Sequence, residues 1–494
     1  MAKQTLYERL GLPRDASLEE IRHAYRQLVL RLHPDTNLNP GETELFIDIQ
    51  HAYEYLADPE KKEDYDQTLP ADQDVETPIS HKFYYSQPSL VRMDEPQVIY
   101  ALLELRMHPD TSLLISSTPL NISLVVDCST SMQGTRLDTV KLTAIDLVRQ
   151  LRPQDVFSLV KFNDWAELLI PPGSRSDIKS TEMKIQLLQA GGGTEIFKGL
   201  EMGFSQVSQS LARDRVNHII LITDGRTYGD ELSCEKLADQ SSAMGIGISA
   251  LGIGNQWNDK FLDRITSKTG GMCRYVSDIS QMRNSLLSEI TRLGSCLTEP
   301  INYSYQIPSN VELRSTFRLQ PDPSPLVFGS PLIFGNMPRF GSMKILVEFL
   351  IKDIPAKTAS FTLAKGFMNY EIPRHAVQTH YVQRLIFERP ITRAVIKEEP
   401  SIEILNAVKL FSLYHLQDRA SEAMGKGDVN AATRHMEILA THLVNKGEQD
   451  FAESVMEEIA YMKRNQTFSE DGEKRIKYGT RALLLPAKTA ERKS

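Results

Sequence analysis

Cysteine is scarce in this chain, and its four copies are scattered. The 494-residue sequence holds Cys128, Cys234, Cys273 and Cys296, and no two of them form a C-x-x-C pair. This spacing excludes a zinc ribbon and a disulfide framework, because both need paired or closely spaced cysteines. The pattern is typical of separate thiols in a reducing compartment.

Long apolar runs are also missing. The longest, such as HIILIT at 218–223, have the length of a β-strand. None approaches the roughly 20 residues that a membrane-spanning helix needs. The N-terminal stretch MAKQTLYERLG has no apolar core of the kind found in a signal peptide. We therefore expect a cytoplasmic protein without a membrane segment.

A basic excess is absent as well. The net charge of −8 argues against a general nucleic-acid binder, since a phosphate-reading face usually appears as a surplus of lysine and arginine. Hydrophobic residues make up 41% of the chain and charged residues 24%, which is typical of soluble globular proteins. The length predicts about three domains.

The tetrapeptide HPDT occurs twice, and its first copy lies between two predicted helices. Ser17 and Glu20 form the S-x-x-E pattern of a capping box, so a helix is expected to begin after Ser17. It carries an apolar stripe with spacings of three and four: Leu18, Ile21, Tyr25, Leu28 and Leu32.

Beyond this helix the chain is predicted to turn back on itself. Pro34 ends the helix, because proline disfavours helical geometry at the preceding residue. After a polar loop, a second stripe follows with Phe46, Ile49, Tyr53 and Leu56. We predict an antiparallel helical hairpin with His33-Pro34-Asp35 exposed at its tip.

This region resembles the J-domain of DnaJ-type co-chaperones. The resemblance covers about residues 4–67 and rests on YERLGLPRDASLEEIRHAYRQLVLRLHPDTN and FIDIQHAYEYLADPEKKEDYD. It implies docking on a DnaK-type heat-shock chaperone and stimulation of its ATP hydrolysis. The positions that match the family's docking residues are His33, Pro34, Asp35, Arg22 and Arg26. A chance HPD in an ordinary helical turn would require the flanking pattern to be coincidence as well.

The second copy, His108-Pro109-Asp110-Thr111, follows the strand-like run PQVIYALLELRM. No helical stripe flanks it. Proline and aspartate are common turn residues between strands. We interpret this copy as a hairpin corner with no functional role.

Strand-like and helix-like segments alternate from Asn121 to about Gly294. The runs NISLVVD, DVFSLVKF, VNHIILIT and GISALGIG indicate buried strands, and segments such as RLDTVKLTAIDLVRQL indicate helices. This alternation predicts a doubly wound α/β sheet, whose ligand chemistry lies at the carboxyl ends of its strands.

Three loops at such ends carry oxygen ligands. Asp127, Ser129 and Ser131 follow NISLVV, Thr194 follows a run of three glycines, and Asp224 follows HIILIT. Two carboxylates and several hydroxyls, without histidine or cysteine, form a hard oxygen set that suits Mg²⁺ or Mn²⁺. The sequence therefore predicts a metal site at this edge of the sheet.

The pattern DxSxS…T…D resembles the metal-ion-dependent adhesion site of the von Willebrand factor type A domain, over about residues 119–294. The resemblance implies direct metal bonds from Ser129 and Ser131, and from Thr194 in some states. It implies that Asp127 and Asp224 act partly through water. A carboxylate from a partner protein would fill the open coordination position. The loops Thr227–Glu231 and Trp257–Asp259 are expected to rim the site.

The competing enzymatic interpretation is a Mg²⁺-dependent hydrolase with Asp127 as nucleophile. It lacks the second aspartate two positions later, where Ser129 stands, and no lysine or histidine is evidently placed as acid or base. We therefore predict that the protein is not an enzyme.

The predicted organisation is multidomain, combining α, α/β and β parts. Residues 1–68 form the J-domain, 69–82 a linker, and 119–294 the von Willebrand A-type domain. That domain is inserted in a discontinuous β-sandwich of 83–118 and 297–395. Residues 396–484 form C-terminal helical hairpins, interpreted as a cap on the sandwich rather than a tetratricopeptide-like array, and 485–494 a disordered tail.

Together these features predict a J-domain co-chaperone that recruits a DnaK-type ATPase to client or partner proteins held through a metal-dependent module. The alternative is a metal-dependent signalling or assembly scaffold in which chaperone recruitment is incidental.

Overall fold

A computed structural model describes residues 5–484 of the protein, except 13–15, 33–39, 69–76, 94, 110–117, 174–177, 213, 226, 228, 330, 356–357, 373–379, 394–397 and 470. It contains a helical N-terminal module, an α/β domain, a two-sheet β-sandwich and C-terminal helices, as the predicted fold class requires. Within these residues, every helix is too short or too polar to cross a membrane.

The N-terminal module has four helices in its described part: α1 (Leu6–Arg9), α2 (Leu18–Leu32), α3 (Pro40–Leu56) and α4 (Pro59–Thr68). The capping box forms at the start of α2. The Glu20 amide donates to Ser17 Oγ at 3.3 Å, and the Ser17 amide donates to Glu20 Oε2 at 2.8 Å. Tyr25 of α2 stacks on Tyr53 of α3 with ring centroids 3.9 Å apart. The two apolar stripes therefore pack against each other.

The described strands are β1 (Ile79–Tyr85), β2 (Leu90–Val91), β3 (Gln97–Met107), β4 (Leu120–Asp127), β5 (Val156–Phe162), β6 (Ala166–Gly173), β7 (Val216–Thr223), β8 (Gly247–Ile253), β9 (Cys273–Val276), β10 (Ile301–Gln306), β11 (Val311–Gln320), β12 (Ser324–Pro325), β13 (Leu332–Gly335), β14 (Ser342–Ile351), β15 (Ser360–Glu371) and β16 (His380–Thr392). The further helices are α5 (Thr135–Gln150), α6 (Ile178–Gln186), α7 (Ile196–Gln209), α8 (Glu231–Ala243), α9 (Asp259–Lys268), α10 (Met282–Gly294), α11 (Ile402–Gly425), α12 (Val429–Lys446), α13 (Gln449–Asn465) and α14 (Gly472–Ala482).

The α/β domain has a six-stranded sheet in the order β6-β5-β4-β7-β8-β9, in which β6 alone runs antiparallel to its neighbour. The central strands β4 and β7 are buried along their whole length. Their alternate side chains enter two cores on opposite faces, with Leu124 and Val126 in one and Val125 in the other. Burial on both faces explains why these strands read as continuous apolar runs.

Two five-stranded sheets form the β-sandwich, in the orders β1-β3-β14-β11-β12 and β13-β10-β15-β16-β2. Their inner faces share one core that includes Leu103, Phe349, Leu385 and Phe387. β3 precedes the α/β domain in the chain, yet it pairs over its length with β14, which follows that domain. The α/β domain is therefore inserted between strands of the sandwich, as predicted.

One strand begins earlier than the sequence indicates. β1 starts at Ile79, inside the 69–82 stretch that the sequence predicts as a linker, and Ile79 is fully buried opposite Met107. The next three side chains, Ser80 to Lys82, are exposed. Within β1, one buried residue precedes three exposed polar ones, which leaves no alternation for the sequence to reveal. We keep the other predicted domain limits as a proposal.

The C-terminal helices pack on two different parts of the molecule. Phe411 and Tyr414 of α11 lie against Phe317 of the first sandwich sheet, with ring centroids 5.5 and 4.9 Å apart. Tyr478 of α14 instead packs against Trp257 of the α/β domain at 5.8 Å. This packing favours a helical cap over an independent repeat array. The predicted disordered tail, 485–494, lies outside the described residues.

The N-terminal module rests on the second sandwich sheet. Phe367 of β15 is buried within the module's own hydrophobic core. Arg384 of β16 stacks over the Phe367 ring at 5.2 Å, and its Nη1 lies 3.3 Å from Oε1 of Glu20 on α2. An apolar contact and an ion pair thus join the module to the sandwich.

Candidate metal centre and docking helix

The two predicted carboxylate ligands lie at neighbouring strand ends. Asp127 is the last residue of β4, and Asp224 directly follows β7. These strands pair in parallel, with Val126 opposite Ile222, so both carboxylates leave the sheet at its carboxyl edge. Both side chains are buried.

Asp127 is held by local hydrogen bonds at both carboxylate oxygens. Its Oδ1 accepts from the Ser129 amide at 2.8 Å, and its Oδ2 accepts from Thr223 Oγ1 at 2.7 Å. Thr223, the last residue of β7, was not among the predicted ligands. Its hydroxyl ties the two strand ends together and fixes the orientation of the carboxylate.

The serines connect Asp127 to Asp224. Ser129 Oγ and Ser131 Oγ are 3.0 Å apart, and Ser131 Oγ donates to Asp224 Oδ1 at 2.7 Å. Ser129 is buried, whereas Ser131 is exposed. The loop therefore offers a row of hydroxyl oxygens that runs from the interior to the surface.

Thr194 reaches the same place through the glycine loop. The Gly191 amide donates to the Cys128 carbonyl at 2.8 Å, and the Thr130 amide donates to the Gly192 carbonyl at 3.1 Å. Gly225 lies so close that an added Cβ would be 3.0 Å from Thr194 Oγ1. Gly192 has φ of +85°, a conformation that favours glycine, and lets this loop approach. All five predicted residues are thus brought together.

The donor set fits a small divalent cation. Burial raises the pKa of Asp127 to about 6 against the opposing hydrogen bonds from Ser129 and Thr223, and the nearby Asp224 carboxylate raises it further. A cation would compensate this buried pair of acids. In the described part of the chain, no cluster of three His, Cys, Asp or Glu side chains is arranged to hold a metal. The site therefore depends on its hydroxyl oxygens as well as its carboxylates.

Arg136, in the first turn of α5, also belongs to this site. Its Nη1 forms an ion pair with Asp224 Oδ2 and donates to the Ser131 carbonyl at 3.3 Å. Arg136 was not predicted from the sequence, although a basic residue five positions after DxSxS was a visible signal. Its position in a helical pattern made it look like an ordinary surface residue.

The predicted rim is wrong at Trp257. This ring is 1% exposed and packs beneath α14 instead of bordering the metal site. Thr227 is buried as well, and its hydroxyl accepts from the Ile196 amide at 3.3 Å. An apolar residue after a strand end resembles a rim residue in the sequence, because the C-terminal helix that covers it is remote.

The candidate chaperone-docking surface lies on α2. Arg22 and Arg26 are exposed, and Arg26 Nε donates to the Arg22 carbonyl at 3.2 Å. Glu20, the residue that pairs with Arg384, lies on the side of the helix that faces the sandwich. The basic pair is therefore exposed while the module is docked. The predicted HPD residues, His33, Pro34 and Asp35, lie outside the described residues.

Only His108 and Pro109 of the second HPDT copy lie within the described residues. β3 ends at Met107, directly before it, as the strand pattern predicts. The His108 amide donates to the Pro78 carbonyl at 2.8 Å, and residues 110–117 lie outside the described part. The next described strand, β4, belongs to the α/β sheet. The predicted hairpin corner falls largely on residues outside the described part and stays a prediction.

Family models match three parts of the chain. The DnaJ domain matches residues 5–66, the von Willebrand factor type A domain matches 121–289, and the Sll0103-like C-terminal alpha-helical domain matches 402–486. The chain thus contains a DnaJ domain and a von Willebrand factor type A domain, which confirms both predicted domains, whereas the metal-ion-dependent adhesion site stays a prediction.

Individual relatives follow the same division. The chain is similar to Synechocystis sp. protein sll0103, with 33% identity over 178 residues that cover 36% of this chain and 42% of that protein. It is similar to Escherichia coli YfbK, with 28% identity over 178 residues covering 35% of this chain and 31% of that protein. Its N-terminal part is 51% identical to the chaperone protein DnaJ of Dictyoglomus thermophilum over 65 residues, 13% of this chain and 17% of that protein. The chain thus spans less than half the length of each of these relatives.

Two solved structures share the fold over most of the chain. A von Willebrand factor type A protein from Catenulispora acidiphila superposes with a TM-score of 0.65 at 13% identity, covering 83% of this chain and 98% of that one. The ArnB paralog VWA2 from Sulfolobus acidocaldarius gives 0.53 at 15% identity, covering 82% and 98%. At these identities the similarity concerns the fold alone.

Proposed function

We propose that the protein is a J-domain co-chaperone. In this proposal α2 and the HPD tip recruit a DnaK-type chaperone and stimulate its ATP hydrolysis. The exposed pair Arg22 and Arg26 supports docking of an acidic chaperone surface, since surface charges mainly set orientation and association rate. Asp35 would add a charge-assisted hydrogen bond to the docked chaperone.

The second half of the proposal is a metal-dependent binding module for client or partner proteins. Asp127, Ser129, Ser131, Thr194 and Asp224 would hold Mg²⁺ or Mn²⁺, because these hard cations prefer carboxylate, hydroxyl and water oxygens. The bound ion would supply an electrophilic position for a carboxylate of the partner. The residues of the chain itself orient the oxygens and keep the inner part of the site dry.

The contact between the N-terminal module and the sandwich supports combining chaperone recruitment with partner binding in one protein. The N-terminal module is joined to the sandwich through Phe367 and the Glu20–Arg384 pair, and this leaves Arg22 and Arg26 exposed. A chaperone recruited there would be held on the same frame as the metal module. The four described thiols are buried and free, which fits a reducing cytoplasm.

The decisive test uses one variant for each half. His33→Gln should abolish stimulation of a DnaK-type ATPase and leave partner capture intact, whereas Asp127→Ala should remove metal-dependent capture and leave stimulation intact. Matched controls are His51→Gln, an exposed histidine of α3, and Asp138→Ala, an exposed acid of α5. Unchanged stimulation in His33→Gln would contradict the co-chaperone assignment.

The scaffold alternative and the enzyme alternative need separate readouts. Pull-downs with wild type and Asp127→Ala, with and without chelator, distinguish the co-chaperone from the scaffold. Enrichment of unfolded clients supports the co-chaperone, and one defined folded partner supports the scaffold. We propose no catalytic activity, and turnover of generic phosphate substrates with Mg²⁺ would contradict this.

A further inference from the structure

We infer that Arg136 is an internal competitor for the metal site, so that a divalent cation binds by displacing its guanidinium from Asp224. This inference rests on the proposed metal site and adds a regulating residue to it. Arg136 lies in the first turn of α5, directly after the loop that carries Ser129 and Ser131.

The carboxylate of Asp224 is fully engaged. Its Oδ1 accepts from Ser131 Oγ at 2.7 Å, and its Oδ2 forms the ion pair with Arg136 Nη1. A cation that bonds this carboxylate, directly or through water, must share or replace these partners. Ser131 is itself a proposed metal ligand, so Arg136 is the partner that does not belong to the ligand set.

The two members of the pair differ in freedom. The Asp224 side chain is 0% exposed, whereas that of Arg136 is 40% exposed. A half-exposed arginine can swing into water at little cost, since its charge is solvated there. The buried carboxylate cannot leave, and it is costly without a compensating charge. The arginine is therefore the group that moves.

The bound position of the guanidinium is built by the loops themselves. Nη1 also donates to the Ser131 carbonyl at 3.3 Å. An added Cβ at Gly254, which follows β8, would be 3.3 Å from Arg136 Nη2. The guanidinium thus lies between the loops after β4, β7 and β8, close to where the ion would be held. Both positive charges would compensate the Asp224 carboxylate.

The test measures Mg²⁺ and Mn²⁺ affinity of the full chain by isothermal titration calorimetry after chelator treatment. Arg136→Gln should bind about tenfold or more tightly than wild type, because a charge-assisted hydrogen bond no longer has to be broken. Arg136→Lys, which keeps a positive charge at this position, should stay within about threefold of wild type. Arg149→Gln removes a charge from the other end of the same helix, where Arg149 pairs with Glu182, and should leave the affinity unchanged.

A second readout is thermal unfolding with and without metal. Without metal, Arg136→Gln leaves the buried Asp224 carboxylate without a cationic partner, so the melting temperature of the variant should fall. Its metal-induced rise in melting temperature should exceed that of wild type. The unfolding curve also shows whether the Arg136→Gln variant is folded. If it is not, the Arg136→Lys variant is measured in its place.

The outcomes separate the two claims. Metal binding in neither wild type nor Arg136→Gln would overturn the proposed metal site itself. Binding in wild type with equal or weaker affinity in Arg136→Gln would overturn the role of Arg136 and leave the metal site intact. If Arg149→Gln increased the metal affinity as much as Arg136→Gln, the effect would come from the overall charge of the protein, and the inference would be overturned as well. Binding that appears or tightens only in Arg136→Gln would support it.

Discussion

Replacing Asp263 with asparagine should release the last helix from the α/β domain. Asp263 lies in α9, and its two carboxylate oxygens accept from Arg481 of α14 at 2.8 and 2.7 Å. Lys477 Nζ lies 2.8 Å from Asp263 Oδ2. Asp263, Lys477 and Arg481 are all buried, so this cluster is a dry ionic contact between two parts of the chain.

The size of the effect follows from the pKa of Asp263. Burial would raise this pKa, but Arg481 and Lys477 outweigh it and lower the pKa from 3.8 to about 2. That difference corresponds to roughly 2–3 kcal/mol, since each tenfold change in proton affinity is worth a little over 1 kcal/mol. The neutral amide of the Asp263→Asn variant would also leave buried Arg481 without its acid and Lys477 with Asp259 alone, which brings the expected loss to about 3–5 kcal/mol.

Hydrogen exchange of α14 is the appropriate assay, because a multidomain chain has no single free energy of unfolding. The amides of Gly472–Ala482 should exchange roughly a hundredfold to several thousandfold faster in Asp263→Asn. The control is Asp239→Asn, whose partner Lys268 is 2.9 Å away and whose carboxylate is 63% exposed. That exposed pair should contribute less than about 1 kcal/mol. If Asp263→Asn accelerates exchange no more than Asp239→Asn, the reasoning is refuted.

Three further predictions concern the rest of the frame. Burial would raise the pKa values of Asp263 and Glu289, but their cationic neighbours lower each pKa to about 2. The stability that these two carboxylates contribute should therefore be complete above about pH 5 and lost as the pH falls towards 2, in an acid titration followed by circular dichroism. Glu289→Gln should lower the calorimetric melting temperature through a loss of about 3–5 kcal/mol, since it removes the bidentate partner of Arg292 and leaves it with Asp322 alone. An unchanged melting temperature would contradict this. Phe367→Ala should undock the N-terminal module, visible as a larger radius of gyration in X-ray scattering, while ATPase stimulation persists; an unchanged radius would count against the docking contact.

The strand-end residues could be predicted because their positions are local in the sequence. Asp127 and Asp224 each end an apolar run, and parallel strands bring their carboxyl ends to one edge of the sheet. The same holds for α2, because the capping box of Ser17 and Glu20 predicts the start of the helix from four consecutive residues. Periodicity and capping are short-range signals, and they led to the fold class and to the candidate site.

The contacts between modules could not be predicted in this way. Asp263 and Arg481 are 218 positions apart, and neither lies in a pattern that names its partner. The prediction for Trp257 was wrong for the same reason, since the helix that buries it lies near the C-terminus. Arg136 could be read directly from the sequence, but a basic residue in the first turn of a helix does not by itself indicate a functional role. Its role is indicated only by the buried Asp224 carboxylate beside it in the structure.

The insertion has a consequence for the order in which the chain is made. β3 is complete at Met107, but its partner β14 begins at Ser342, about 230 residues later. At the roughly 5–20 residues per second of protein synthesis, the edge of β3 that later meets β14 waits for about 10–50 s. An unpaired strand edge on a nascent chain exposes backbone N–H and C=O groups that can pair with a wrong strand. During this interval the N-terminal module has already emerged, so under the proposed function the growing polypeptide would carry its own recruitment signal for a chaperone before its sandwich is complete.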